Sequence, residues 1–200
     1  MTGVGPPVDG GTPLDDEDKD GLIPGHILTR SELNQWEALN IAQANQWLGR
    51  RRSSNVLSVE FLRELHRRLF GRTWKWAGTY RRSEKNVSPY HWATVPQLVQ
   101  DLIHNTGAQL AAGSGAPGEI DEITIRFHHQ LVRIHPWPNG NGRHARLATD
   151  ELLKQLRRPR FSWGGGRDLE TADNARVDYI AALRHADAGD FSLLRAFVRS

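Results

Sequence analysis

The stretch that most constrains this chain is a helical stripe that stops and restarts. Ile120, Ile123, Phe127, Leu131 and Ile134 recur at the spacing of one helix face, the pattern breaks at His135-Pro136, and helical spacing resumes from Arg143 through Leu147, Leu152 and Leu156. A proline disfavours helix at the residue before it, so the break is enforced by the backbone. Two helices with apolar faces, joined by a short polar loop, must bury those faces against further helices or a sheet. The remaining patterns supply helices. Leu33, Trp36, Asn40, Ala44 and Trp47 predict one over 29–48, opened by the Thr29/Glu32 capping box. Ser58 caps a second, with Leu62, Leu65 and Leu69 on one stripe and Gly71 as its stop. Thr94 with Pro96 opens a third towards Leu110, and Thr171–Ala186 and Phe191–Val198 complete the set.

Two segments break the helical texture. Residues 1–28 carry a cluster of Gly and Pro and the acidic run Asp15-Asp16-Glu17-Asp18, the composition of a flexible arm ahead of a single domain at 29–200. Between Thr73 and Ala93 the chain is aromatic, basic and turn-rich, which predicts a short hairpin or flap. The expected fold is therefore all-α, a helical bundle with one small β-hairpin flap. No apolar run approaches the roughly 18 residues of a membrane span, and the N-terminal residues lack the pattern of a signal peptide, so the chain reads as cytoplasmic. With no cysteine there is no disulfide, thiolate nucleophile or Cys-ligated zinc. Of the 26 basic residues only Lys19, Lys75, Lys85 and Lys154 are not Arg, yet the net charge is +3. That is too little to argue nucleic acid, and the Arg bias reads equally as a compositional habit.

The break between the helices carries the chemistry. It reads His135-Pro136-Trp137-Pro138-Asn139-Gly140-Asn141-Gly142-Arg143-His144-Ala145-Arg146. A Gly/Asn loop leading into a helix N-terminus aims backbone N–H groups at one point, an anion nest. Arg143 and Arg146, three residues apart on one helix face, can flank a phosphate chain held there. His135 has the unperturbed pKa, about 6.5, suited to a general base. Asn139 offers a hard oxygen ligand for Mg²⁺. An ordinary interhelical turn followed by an Arg-bearing helix accounts for any one of these residues; it loses for the whole set because the ordered run is also a known signature.

The run resembles the active-site motif of the Fic/Doc family, usually written His-Pro-Phe-x-[Asp/Glu]-Gly-Asn-Gly-Arg-x-x-Arg, departing from it at Trp137 and Asn139. The upstream Trp76-Ala77-Gly78-Thr79-Tyr80-Arg81 also looks like the family, and residues 12–14, 22–24 and 29–34 resemble its bacterial subgroup called mobile mystery protein B. The resemblance implies transfer of AMP from ATP, with Mg²⁺, to a Ser, Thr or Tyr hydroxyl of a target protein, in a toxin-like or regulatory setting. It assigns His135 as base, Asn139, Gly140, Asn141 and Gly142 to the nucleotide loop with Asn139 at the metal, and Arg143 and Arg146 to the β- and γ-phosphates. Flap residues Lys85, Asn86, Val87 and Ser88 would dock the target as an added strand. The neutral amide of Asn139 keeps a competing reading open: a weakened or different Fic-fold protein that performs another nucleotidyl or phosphoryl transfer, or binds nucleotide or a partner without turnover. Many relatives silence themselves through a Ser/Thr-x-x-x-Glu-Gly/Asn motif whose Glu pairs with the second motif Arg. This chain lacks it, Glu32 and Glu37 read as exposed helix glutamates, and control is expected from a separate antitoxin-like protein.

Other signals are weaker. The run 16–23 copies the start of a calcium loop but has Ile27 where a bidentate Glu belongs, and 113–118 has P-loop glycine spacing without Lys-Ser/Thr. His128, His129, His135 and His144 show no zinc-site spacing. Arg50-Arg51-Arg52 reads as a solvated loop.

Overall fold

In a computed structural model, residues 20–25, 30–51, 55–166, 169 and 174–200 are described. Among them are seven α-helices and one 3₁₀ turn: α1 (Arg30–Arg50), α2 (Val59–Phe70), the 3₁₀ turn Trp92–Thr94, α3 (Val95–Ala112), α4 (Pro117–Ile134), α5 (Asn141–Gln155), α6 (Asn174–Asp187) and α7 (Ser192–Val198). The all-α expectation holds, and the helix boundaries fall within a few residues of those the periodicity predicts. Ser58 caps α2 as expected, its hydroxyl accepting from Phe61 N–H at 3.1 Å. Thr94 does not cap α3: its hydroxyl donates to His91 O at 2.7 Å, and the helix is entered through the 3₁₀ turn.

α4 and α5 form the common wall of the molecule. Phe127, Leu131, Ala145, Ala148 and Leu152 face one apolar cluster with Leu62, Leu65, Leu69, Trp74 and Val99. Ile120, Ile125 and Leu153 face a second cluster with Tyr179, Ala182, Leu194 and Val198. Each fully buried Leu or Phe contributes about 1.5–3 kcal/mol, so the pair is clamped from both sides, and its connecting loop is held at one end of the bundle.

The hairpin expectation fails. Among the described residues no β-strand forms, and residues 79–91 run as turns and bends. The physical reason is a substitute for ladder bonds, the buried Arg81 taken up below. Among the described residues the one β-pairing is a bridge between Leu22 and Trp74, in which Ile23 N–H donates to Thr73 O at 2.8 Å and Lys75 N–H to Gly21 O at 2.8 Å. Residues 21–23 of the expected arm are thus tied to the start of the 73–93 segment; 1–19 and 26–28 lie outside the described residues, as do most of the calcium-like run, Thr29, Arg52 and the predicted start of α6 at Thr171.

Candidate active site

α4 ends at His135, whose left-handed backbone (φ 55°) turns the chain out of the helix. Trp137 fills the cavity beneath the loop: it is fully buried and stacks on His66 and Tyr80 at centroid separations of 4.5 and 5.1 Å. It does the packing expected of the motif's Phe and also donates Nε1–H to His144 Nδ1 at 3.2 Å. Asn141 closes the loop on itself. Its amide oxygen accepts from Trp137 N–H at 3.0 Å and its amide nitrogen donates to Trp137 O at 2.8 Å, so this side chain staples the loop. Gly140 then enters α5 with φ +78°, and a β-carbon there would stand 2.4 Å from the Phe70 ring. His144 N–H donates to Gly140 O at 3.0 Å, and the amides of 141–143 stand in the first turn of α5, at its mouth.

His135 is 7% exposed and borders a cavity of about 480 Å³. Burial is the main cause that pushes its pKa down to about 3, and the Arg81 and Lys85 charges push the same way. The ring is therefore neutral. Val132 O lies 3.2 Å from Nδ1, and a carbonyl only accepts, so Nδ1 carries the proton and Nε2 keeps the lone pair a base needs. The same cavity is lined by Asn86, Val87 and Ser88 from the flap and by Ile180, Leu183 and Arg184 from α6. The structure thus brings His135 together with three of the four flap residues predicted; Lys85 is buried and does not line the cavity.

The two arginines follow on the first turns of α5. Arg146 lies beside Gly142, where a β-carbon would be 3.5 Å from its Nη1, and its guanidinium faces the Tyr179 ring at 5.5 Å. Arg143 covers the Phe70 ring at 4.8 Å and donates Nη1–H to Glu37 Oε2 at 2.7 Å. Glu37 is not the exposed helix glutamate expected from the sequence. It is 4% exposed, and its other oxygen accepts from Trp74 Nε1–H at 2.9 Å. The periodicity of α1 could have shown it, since Leu33, Glu37, Asn40, Ala44 and Leu48 share one face.

Asn139 is half-buried, and its side-chain oxygen accepts from Gly140 N–H at 2.5 Å. That leaves one lone pair of a neutral oxygen for a cation. His66 and His144 are loop supports: His66 donates Nε2–H to Asn139 O at 3.1 Å and accepts from Gly78 N–H at 2.9 Å, while His144 donates Nε2–H to Leu62 O at 2.9 Å. His129 pairs through Nε2 with Asp187 at 2.9 Å, and His128 lies 2.9 Å from the Tyr179 hydroxyl. On α5, one turn beyond Arg146, burial lifts the Asp150 carboxyl to about 6, although it accepts from Trp163 Nε1–H at 3.0 Å.

The Fic/DOC family model matches residues 56–153, the span from the start of α2 almost to the end of α5. A protein named protein adenylyltransferase Fic from Nematostella vectensis is 29% identical over 183 residues, covering 88% of this chain and 38% of its own. Protein adenylyltransferase VbhT of Bartonella schoenbuchensis is 26% identical over 159 residues, 76% of this chain and 30% of its own. Among solved structures, BepC from Bartonella tribocorum, crystallised with bound AMPPNP, superposes with a TM-score of 0.68 at 15% identity, over 92% of this chain and 96% of that one. That likeness shows a shared fold. The chain spans only about a third of the length of these two adenylyltransferases.

Proposed function

Because the Fic/DOC family model matches residues 56–153, we propose that this chain is a protein adenylyltransferase, moving AMP from ATP to a Ser, Thr or Tyr hydroxyl of another protein. The observation that carries the reading is His135: neutral, buried at the edge of a cavity, with Nδ1 committed to Val132 O and Nε2 left as acceptor. Nε2 takes the proton of the target hydroxyl as its oxygen attacks the α-phosphorus, and the bond to the β-phosphate oxygen breaks, releasing pyrophosphate. The α5 N-terminus, Gly140 and Gly142 receive phosphate oxygens, with Asn141 holding the loop in shape. Arg143 and Arg146 carry the charge that builds on the leaving group, where preorganised cations act most strongly. The cavity lined by Val87, Ile180 and Leu183 has the size and apolar walls for a nucleoside, and the flap, including Lys85, guides the target chain across it. Asn139 fits Mg²⁺ only as a single neutral ligand, so a bound ion would be held mainly by phosphate oxygens, whose charge it would neutralise.

The domain proposed spans 29–200. Among the described residues no helix is long and apolar enough to cross a membrane; a cytoplasmic setting, the mobile mystery protein B subgroup, a toxin-like role and a separate antitoxin-like inhibitor are proposals carried by the sequence resemblance. Glu37 on Arg143 and the neutral Asn139 favour the second reading, a nucleotide-binding protein with weak turnover. One experiment separates the two. With purified protein, MgATP and cell lysate, label from the α-phosphate should enter protein bands, and His135→Ala should reduce it by a factor of about 10²–10⁴. Label arriving from the γ-phosphate, or undiminished labelling by His135→Ala, overturns the proposal.

A further inference from the structure

Arg81 is the most deeply buried arginine among the described residues, 1% exposed, and its burial is not explained by a buried carboxylate. The Glu84 carboxylate is 3.8 Å away, on a side chain more than half exposed. A desolvated guanidinium persists only if its N–H groups are met, and here the partners are mostly backbone carbonyls. Nε–H donates to His135 O at 2.8 Å, Nη1–H to Ser83 O at 2.8 Å, and the Nη2 hydrogens to Tyr90 O at 2.7 Å and Ser88 Oγ at 3.2 Å. The Arg81 backbone N–H adds a bond to Pro136 O at 2.9 Å. The Ser88 hydroxyl faces Arg133 O at 3.0 Å and Ile134 O at 3.1 Å, fastening the flap to the last turn of α4.

We propose that Arg81 is the positioning residue of this site, one planar fork that fixes both the backbone of His135 and the path of the flap across the cavity. His135 holds a left-handed backbone that a β-carbon disfavours, and the Arg81 bond to its carbonyl is one of the contacts that keep it there. The flap has no strand pairing of its own, so Ser83, Ser88 and Tyr90 take their positions from the same guanidinium. The Arg81 charge also opposes protonation of His135, after the larger effect of burial. Lysine would keep the charge and lose the fork, because its three donors diverge from one nitrogen.

The inference rests on reading His135 as the base, and its test has one arm that does not. Arg81→Lys should lower kcat for AMP transfer about 10- to 100-fold with the KM for ATP within about twofold, the pattern of displaced groups rather than lost phosphate contacts. In nitrogen NMR of the histidines, wild-type His135 should show a protonated Nδ1 and a bare Nε2, and Arg81→Lys should mix the two tautomers. A folded Arg81→Lys protein with kcat within threefold of wild type and an unchanged His135 spectrum overturns the proposal. Should that variant fail to fold, Ser88→Ala removes only the hydroxyl; a roughly 3- to 10-fold fall in kcat at constant KM is expected, and unchanged kcat overturns it. If the wild type transfers no AMP at all, the adenylyltransferase reading falls, and the tautomer comparison still decides the role of Arg81.

Discussion

Lowering the pH from 7.5 to 5.5 should remove a large part of this fold's stability, because four histidines are buried in neutral form. Burial pushes His66 well below the ordinary histidine value, and pushes His128 to about 3, His135 to about 3 and His144 to about 4. For His66 and His144 the hydrogen bonds agree independently, since the Nδ1 lone pair of each accepts from a buried N–H, Gly78 N–H and Trp137 Nε1–H respectively, and protonation would abolish both acceptors. A histidine whose folded pKa lies below its unfolded value of about 6.5 binds its proton only on unfolding, so stability present above pH 6.5 is lost as pH falls through it. At pH 5.5 His128, His135 and His144 together account for about 4 kcal/mol of that loss, and His66 adds in the same sense. Asp150 acts in the opposite sense: its folded pKa, raised to about 6, makes the folded state bind a proton first and returns about 1 kcal/mol at pH 5.5. The net loss, about 3 kcal/mol before the His66 share, should lower the melting temperature by roughly 6–12 °C or more, followed by circular dichroism. Calorimetry at pH 5.5 in buffers of different ionisation enthalpy should show net uptake of about two to three protons per molecule on unfolding. A melting temperature that moves by less than about 3 °C, with no proton uptake, would refute the reasoning.

Three substitutions test the contacts around the loop. Glu37→Gln keeps a carbonyl for Trp74 Nε1–H but removes the charge on Arg143; ATP affinity measured by titration calorimetry should rise about tenfold, with about 1–3 kcal/mol of stability lost, and an unchanged affinity would show that Arg143 does not meet phosphate. Gly140→Ala places a β-carbon at positive φ against Phe70 and should cost about 2–4 kcal/mol in urea unfolding; a cost below about 1 kcal/mol would mean that the loop has room to shift. Trp137→Phe keeps the ring stacked on His66 but leaves His144 Nδ1 without its donor, so about 1–3 kcal/mol of stability should go while AMP transfer per folded molecule stays within a fewfold.

The helices were legible because their apolar spacing is local, and the loop 135–146 because its residue types are contiguous. Two failures share one cause. The burial of Glu37 was legible in the periodicity of α1, but its partner Arg143 is 106 residues away and no local pattern links the two. The 73–93 segment reads as a hairpin because it is aromatic and turn-rich, and nothing local reveals that Arg81 would replace ladder bonds by reaching the carbonyls of Ser83, Tyr90 and His135. The four neutral histidines are likewise invisible until helix packing seals them from water.

Within the loop, the Asn141 bonds to Trp137 and the Gly140 bond to the Asn139 side chain are local. The Asn139 carbonyl is met by His66 on α2, Trp137 is met by His144, whose other nitrogen reaches the Leu62 carbonyl on α2, and the His135 and Pro136 carbonyls are met by Arg81. A loop with no secondary structure must satisfy its buried polar groups elsewhere, and this one uses α2 and the segment 78–90. On the proposed reading the motif supplies the reacting groups, while α2 and Arg81 hold them where a phosphate chain and a hydroxyl could meet. Changes at His66 or Arg81, which no phosphate would touch, should then weaken transfer on a scale approaching changes within the loop.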